Sequence, residues 1–165
     1  MVGIYLNPTN KGFTKSLRSE IYVDKTDIII YTNKVLDTEQ RYICVSRPRR
    51  FGKTMTASML TAYYSRGCDS SKLFENLSIS KSSSYRHNLN QYNVIFLNIQ
   101  QFLSGAKSIE EAICTMQEKL IEEMLKAYPH VSELTLQDDL IGMLQVIYYL
   151  RVKSLTIQNC TQIRG

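Results

Sequence analysis

Residues 42–60 read Tyr42-Ile43-Cys44-Val45-Ser46-Arg47-Pro48-Arg49-Arg50-Phe51-Gly52-Lys53-Thr54-Met55-Thr56-Ala57-Ser58-Met59-Leu60, and no other stretch narrows the choice of fold as far. A short β-prone apolar run ends in a basic loop closed by Gly-Lys-Thr, and a helix-compatible segment follows at once. Strand, loop, helix is the setting that a phosphate-binding loop requires. Gly52 lets the backbone approach an anion without a Cβ in the way, and the first amides of the next helix point toward it. Lys53 is placed to reach the β- and γ-phosphates of a nucleotide as a compact charge. The Thr54 hydroxyl is the usual ligand of a phosphate-bound Mg²⁺.

The full phosphate-loop pattern begins with a glycine, and here that position holds Arg47. A bare Gly-Lys followed by Ser or Thr arises by chance in about one chain in ten of this length, so the flanks decide. Arg47, Arg49 and Arg50 put three guanidinium groups within four residues, a density that calls for an anionic partner or full solvation. Pro48 restricts Arg47 to extended geometry, which keeps the chain from coiling before the loop is complete. The competing reading is a basic turn that does nothing more than join a strand to a helix.

Two further segments make the pattern specific. Ile21-Tyr22-Val23-Asp24-Lys25-Thr26 lies upstream and Val94-Ile95-Phe96-Leu97-Asn98 downstream. With Ser46-Arg47-Pro48-Arg49-Arg50-Phe51-Gly52-Lys53-Thr54 between them, the chain resembles the AAA-ATPase-like family of bacterial proteins over about residues 3–150. The missing first glycine is typical of that family. The resemblance implies an α/β fold, an incomplete P-loop NTPase-type three-layer sandwich with a mainly parallel central sheet. It also implies ATP and Mg²⁺ as ligands, with Arg47, Arg49, Arg50, Phe51, Gly52, Lys53 and Thr54 on the nucleotide and Thr54 on the metal. Asp24 and Lys25 would take a supporting or base-side role. Family members usually continue into a restriction-endonuclease-like nuclease domain, so DNA is a partner implied only through a domain missing from this chain.

With 165 residues, 44% apolar and 21% charged, the chain suits one soluble globular domain. No run is long enough to span a bilayer and the first residues lack a secretory pattern, so the expected location is cytoplasmic. Cys44, Cys68, Cys114 and Cys160 form no Cys-x-x-Cys pair, and only His87 and His130 could join them, which argues against zinc and gives no disulfide framework. The net charge of +5 is concentrated at Arg47, Arg49, Arg50 and Lys53 and reads first as a nucleotide signal, second as a nucleic-acid signal.

Along the chain, the pattern predicts a helix from Asp27 to Leu36 capped by Asp24, a turn at 38–41, a first central strand over Tyr42–Ser46, and a helix from Lys53 to about Tyr64 ended by Gly67. Leu73, Phe74, Leu77 and Ile79 should dock an otherwise polar connection, and Asn93–Ile99 should form a strand buried on both faces. Ser108-Ile109-Glu110-Glu111 has capping-box spacing and opens an amphipathic helix ended by Pro129, on which Glu110-Glu111 and Glu122-Glu123 read as solvated surface. A second apolar helix is expected over 137–150.

ATP hydrolysis in this chemistry needs a strand that ends in an acidic residue and holds the metal. No apolar run of four ends in Asp or Glu, and Asp138 and Asp139 belong to a polar helix start. The expectation is therefore a P-loop domain over 1–150, an off-pattern tail over 151–165 that a truncation or frameshift would explain, and nucleotide binding with poor turnover. The alternatives are a non-enzymatic nucleic-acid-binding module using the basic loop, or an inactive gene fragment.

Overall fold

The computed structural model describes residues 2–46, 48, 50–129, 140 and 154–159. Its α-helices with described bounds are α1 Lys11–Leu17, α2 Asp27–Val35, α3 Lys53–Tyr64, α4 Ser71–Phe74, α5 Tyr85–Asn88, α6 Ile99–Leu103 and α7 Ile109–Ala127, with strands β1 Asn93–Asn98 and β2 Ser154–Asn159. Short 3-10 turns occupy Glu39–Arg41 and Ser78–Lys81. No described helix is long and apolar enough to cross a membrane.

β1 is the axis. Its side chains alternate between two faces: Val94 and Phe96 join one apolar cluster, Ile95 and Leu97 the other, as the two-residue period of a strand dictates. The first cluster holds Phe13, Ile29, Met59, Tyr63, Tyr64, Phe74, Ile79 and Tyr92, and so binds α1, α2, α3 and the 71–92 segment into one layer. The second holds Tyr5, Leu6, Phe102, Leu120 and Met124 and brings α6 and α7 against the opposite face. β2 runs parallel to β1 in the register Asn93–Ser154 to Asn98–Asn159. On the other edge, the amino-terminal segment pairs antiparallel through a Leu6–Ile95 bridge. There the Asn7 amide donates to Val94 O at 2.7 Å and the Phe96 amide to Tyr5 O at 2.8 Å.

Asn7 lies in the left-handed region at φ 52, and its side chain completes the ladder: Oδ1 accepts from the Val94 amide at 2.8 Å. Next along the chain, the amides of Ile4, Tyr5 and Leu6 all donate to the Glu123 carboxylate, at 2.7, 2.9 and 2.8 Å. Glu123 is thus a clamp between α7 and the amino-terminal segment, which corrects its reading as plain surface. Glu122, its neighbour, does behave as surface and pairs with Lys126 one helical turn on.

The helix expectations hold at α2, α3 and α7, and β1 ends one residue earlier than expected. Ser108 caps α7 by accepting from the Glu111 amide at 3.2 Å, while Glu111 reaches back to the Lys107 amide at 2.6 Å, one residue before the position that a capping box uses. The buried face of α7 starts at Ala112; Ile109 and Ile113 are exposed. α3 ends at Tyr64 with Ser65 extended, and Gly67 does not terminate it. Instead Gly67 packs where a Cβ would collide with the Asn7 carbonyl, at 2.5 Å.

Tyr42–Ser46 departs furthest from expectation. These residues are irregular and exposed, with Tyr42 82% accessible, and form no strand. An apolar run becomes a strand only when a neighbour takes up its N–H and C=O groups, and among the described residues none lies alongside. Of the expected 137–150 helix only Leu140 is described; it is helical and packs on the second cluster, while Asp138 and Asp139 lie outside the described residues.

Candidate functional site at the start of α3

α3 is held from below and from both sides. α1 packs along it, and β1 and β2 lie against it. At its far end Tyr63 and Tyr64 are fully buried: Tyr64 OH donates to Asn33 Oδ1 at 2.8 Å and Tyr63 OH to Tyr85 O at 2.8 Å. Burial pushes the Tyr63 phenol up to about 12, so both rings stay neutral and serve packing. A rigid rear end fixes where the front end points.

That front end is the basic loop. Gly52 is the N-cap of α3 at φ 77, ψ 19, a left-handed conformation that favours glycine, and no side chain caps the helix. Arg50 is also left-handed, at φ 68. The loop therefore turns twice within three residues and delivers the start of a 12-residue helix to the surface. Lys53 folds back, its Nζ donating to Pro48 O at 3.1 Å. Thr54 is exposed, as is Phe51 at 58%. Arg47 and Arg49 lie outside the described residues.

The upstream segment comes to the same place. A Cβ built on Gly52 would lie 3.1 Å from Lys25 Nζ, so the space in front of the glycine is faced by an ammonium group from another element. Asp24 does something different. It does not cap α2, whose N-cap is Thr26; its carboxylate accepts from the Ser78 amide at 2.7 Å and the Thr26 amide at 2.8 Å. Thr26 Oγ1 in turn accepts from the Ile79 amide at 3.1 Å. Asp24 and Thr26 thus staple the turn before α2 to the 3-10 turn at Ser78–Lys81.

Burial acts to raise the Asp24 pKa, but the hydrogen bonds from Ser78 and Thr26 outweigh it and hold the group below its ordinary 3.8. A depressed folded value stabilises the fold above the unfolded pKa, and that contribution is lost as pH falls through the folded value. Asp24→Asn is expected to lower Tm at neutral pH, with the gap to wild type closing below about pH 4. Indistinguishable melting curves at neutral pH would refute the staple.

An uncapped helix start, a left-handed glycine and two lysines suit a phosphate group, which offers the negative charge and acceptor oxygens that these donors lack. A family model for predicted AAA-ATPases matches residues 13–157. The chain belongs to the AAA-ATPase-like family. The match takes in the upstream turn, the loop, α3 and β1, and continues past residue 150 into β2. No curated protein and no solved structure matches this AAA-ATPase-like chain. A separate cavity of about 380 Å³, lined by Val2, Gly3, Ile4, Leu6, Glu123, Lys126 and Ala127, belongs to the amino-terminal clamp and not to the loop.

Proposed function

We propose that this chain binds a nucleoside triphosphate, ATP with Mg²⁺, at the loop that opens α3. The observation that carries the reading is Gly52, left-handed at the uncapped start of a long helix, in a chain that a family of predicted ATPases matches. Gly52 and the first amides of α3 receive phosphate oxygens, Lys53 adds charge, and the Thr54 hydroxyl holds Mg²⁺. Arg47, Arg49, Arg50 and Phe51 flank the phosphates, with Asp24 and Lys25 in support. When bound, the metal neutralises charge on the phosphate tail. The fold that this reading implies is an incomplete P-loop three-layer sandwich, in which the segment expected as an off-pattern tail beyond residue 150 supplies β2. The parallel β1–β2 pairing and the helices on both faces of β1 support it. The same reading puts the chain in the cytoplasm, where ATP and Mg²⁺ are plentiful.

Hydrolysis is not part of the proposal. The strand beside β1 reads Ser154-Leu155-Thr156-Ile157-Gln158-Asn159 and contains no Asp or Glu, the residue type that metal chemistry takes from a strand end.

The test is a calorimetric titration of wild type and Lys53→Ala with ATP, with and without Mg²⁺. Lys53→Ala should weaken binding by about 10- to 100-fold, the worth of one charge-assisted contact. Equal affinity of the two proteins would overturn the assignment. Mg²⁺-dependent turnover lost in Lys53→Ala would overturn the statement on hydrolysis, and salt-sensitive DNA binding without competition by ATP would favour a nucleic-acid module instead.

A further inference from the structure

We propose that Lys25 supplies a second ammonium group to the phosphate chain at the start of α3, with Asp24 as the positioning residue that holds it there. The inference rests on the nucleotide reading above and assigns Lys25 to the phosphates, not to the base.

The charges in front of α3 are arranged unfavourably. The start of an α-helix carries a partial positive charge of about half a unit, so a cation placed against it is repelled. Lys25 Nζ nevertheless lies against Gly52, the N-cap of α3, and Lys53 follows directly on the same helix. Nothing nearby in sequence relieves this, because residues 42–58 contain no Asp or Glu. Among the described residues the ion pair within 4.0 Å joins Glu122 to Lys126, and Lys25 has no carboxylate partner. Asp24, adjacent in the chain, is committed to the Ser78 and Thr26 amides. An anion between Lys25 and the helix start is attracted by Lys25, by Lys53 and by the helix start together, which offsets their mutual repulsion.

Asp24 explains why Lys25 stays in so costly a place. Its carboxylate ties the turn before α2 to Ser78, and Thr26 ties the same turn to Ile79, so the backbone on either side of Lys25 is fixed to the aromatic core. The ammonium is presented by a braced turn, although its side chain is exposed.

The experiment titrates the full chain with two probes, inorganic tripolyphosphate and ATP with Mg²⁺, in wild type, Lys25→Ala, Lys25→Arg, Asp24→Asn, Lys53→Ala and the Asp24→Asn/Lys25→Ala double variant. Lys25→Ala should weaken both probes by about tenfold or more, and Lys25→Arg should recover most of the loss. Asp24→Asn should weaken both probes in the wild-type background and change nothing once Lys25 is gone, a coupling that a merely structural role would not produce. An unchanged affinity for tripolyphosphate in Lys25→Ala, with ATP weakened or not, overturns the proposal, as does full additivity of the Asp24 and Lys25 effects. Because Lys53→Ala is measured alongside, the two readings fail separately: intact binding there sinks the nucleotide loop itself, whereas loss there with no effect at Lys25 sinks only this inference.

Discussion

Glu123→Ala should cost about 3 kcal/mol of folding stability, read as a shift in the urea midpoint at constant slope. One carboxylate serves the amides of Ile4, Tyr5 and Leu6, of which the Tyr5 and Leu6 bonds are partly buried. Removing it strands two donors that water reaches poorly, each at about 1–3 kcal/mol, while the exposed Ile4 amide finds water. The loss matters because those residues cover an edge of β1 and contribute Tyr5 and Leu6 to the second cluster. Glu123→Gln keeps an acceptor and should lose less. Glu122→Ala is the natural control, because its carboxylate is exposed and pairs with the exposed Lys126, and its midpoint should stay where it is. A Glu123→Ala protein as stable as the control would remove the clamp from this account.

Phe74→Ala should be costlier still, about 3–5 kcal/mol, by the loss of buried contacts and the cavity left behind. The ring is inaccessible, stacked on Phe13 at 4.9 Å and edge-on to Tyr63 at 5.4 Å. It therefore joins α1, α3 and the 71–92 segment at one point. Against a typical total of about 5–15 kcal/mol, such a loss approaches unfolding. Its functional consequence travels by a short route: the Leu77 amide donates to Phe74 O, and Ser78, next in sequence, holds Asp24. Ligand affinity should fall along with stability in any Phe74→Ala that still folds. Phe51→Ala, on the loop and exposed, should leave the melting temperature unchanged, and comparable destabilisation by the two would show that the aromatic cluster is not what organises the layer.

The parts of this fold legible in sequence were those specified by local periodicity. α3 and β1 announce themselves by apolar spacing and by a glycine or a turn at each end, and Leu73, Phe74, Leu77 and Ile79 all reach the core as their spacing in a polar segment suggests. What long-range partners decide was hidden. Glu122 and Glu123 are chemically identical, and only the tertiary arrival of residues 4–6 separates a surface ion pair from a clamp. Gly67 looks like a helix terminator, yet it is needed for the close passage of Asn7. Tyr42–Ser46 has strand composition without a strand's neighbour, so propensity was overruled by pairing. At the site, Gly52 and Lys53 were found from their motif and Lys25 from the family resemblance, while the Asp24–Ser78 staple carried no sequence signal beyond a general preference of aspartate for turns.

The antiparallel contact of residues 5–7 with β1 also bears on handling the protein. With β2 on one flank and this segment on the other, the Val94 and Phe96 amides of β1 are taken up by Asn7 and Tyr5 and are closed to a foreign strand. Proteolytic trimming through Asn7 would uncover those amides together with the apolar side chains beneath them. The cropped chains would then gain a route to stack on one another, so the integrity of the first few residues governs colloidal behaviour as much as it governs the fold.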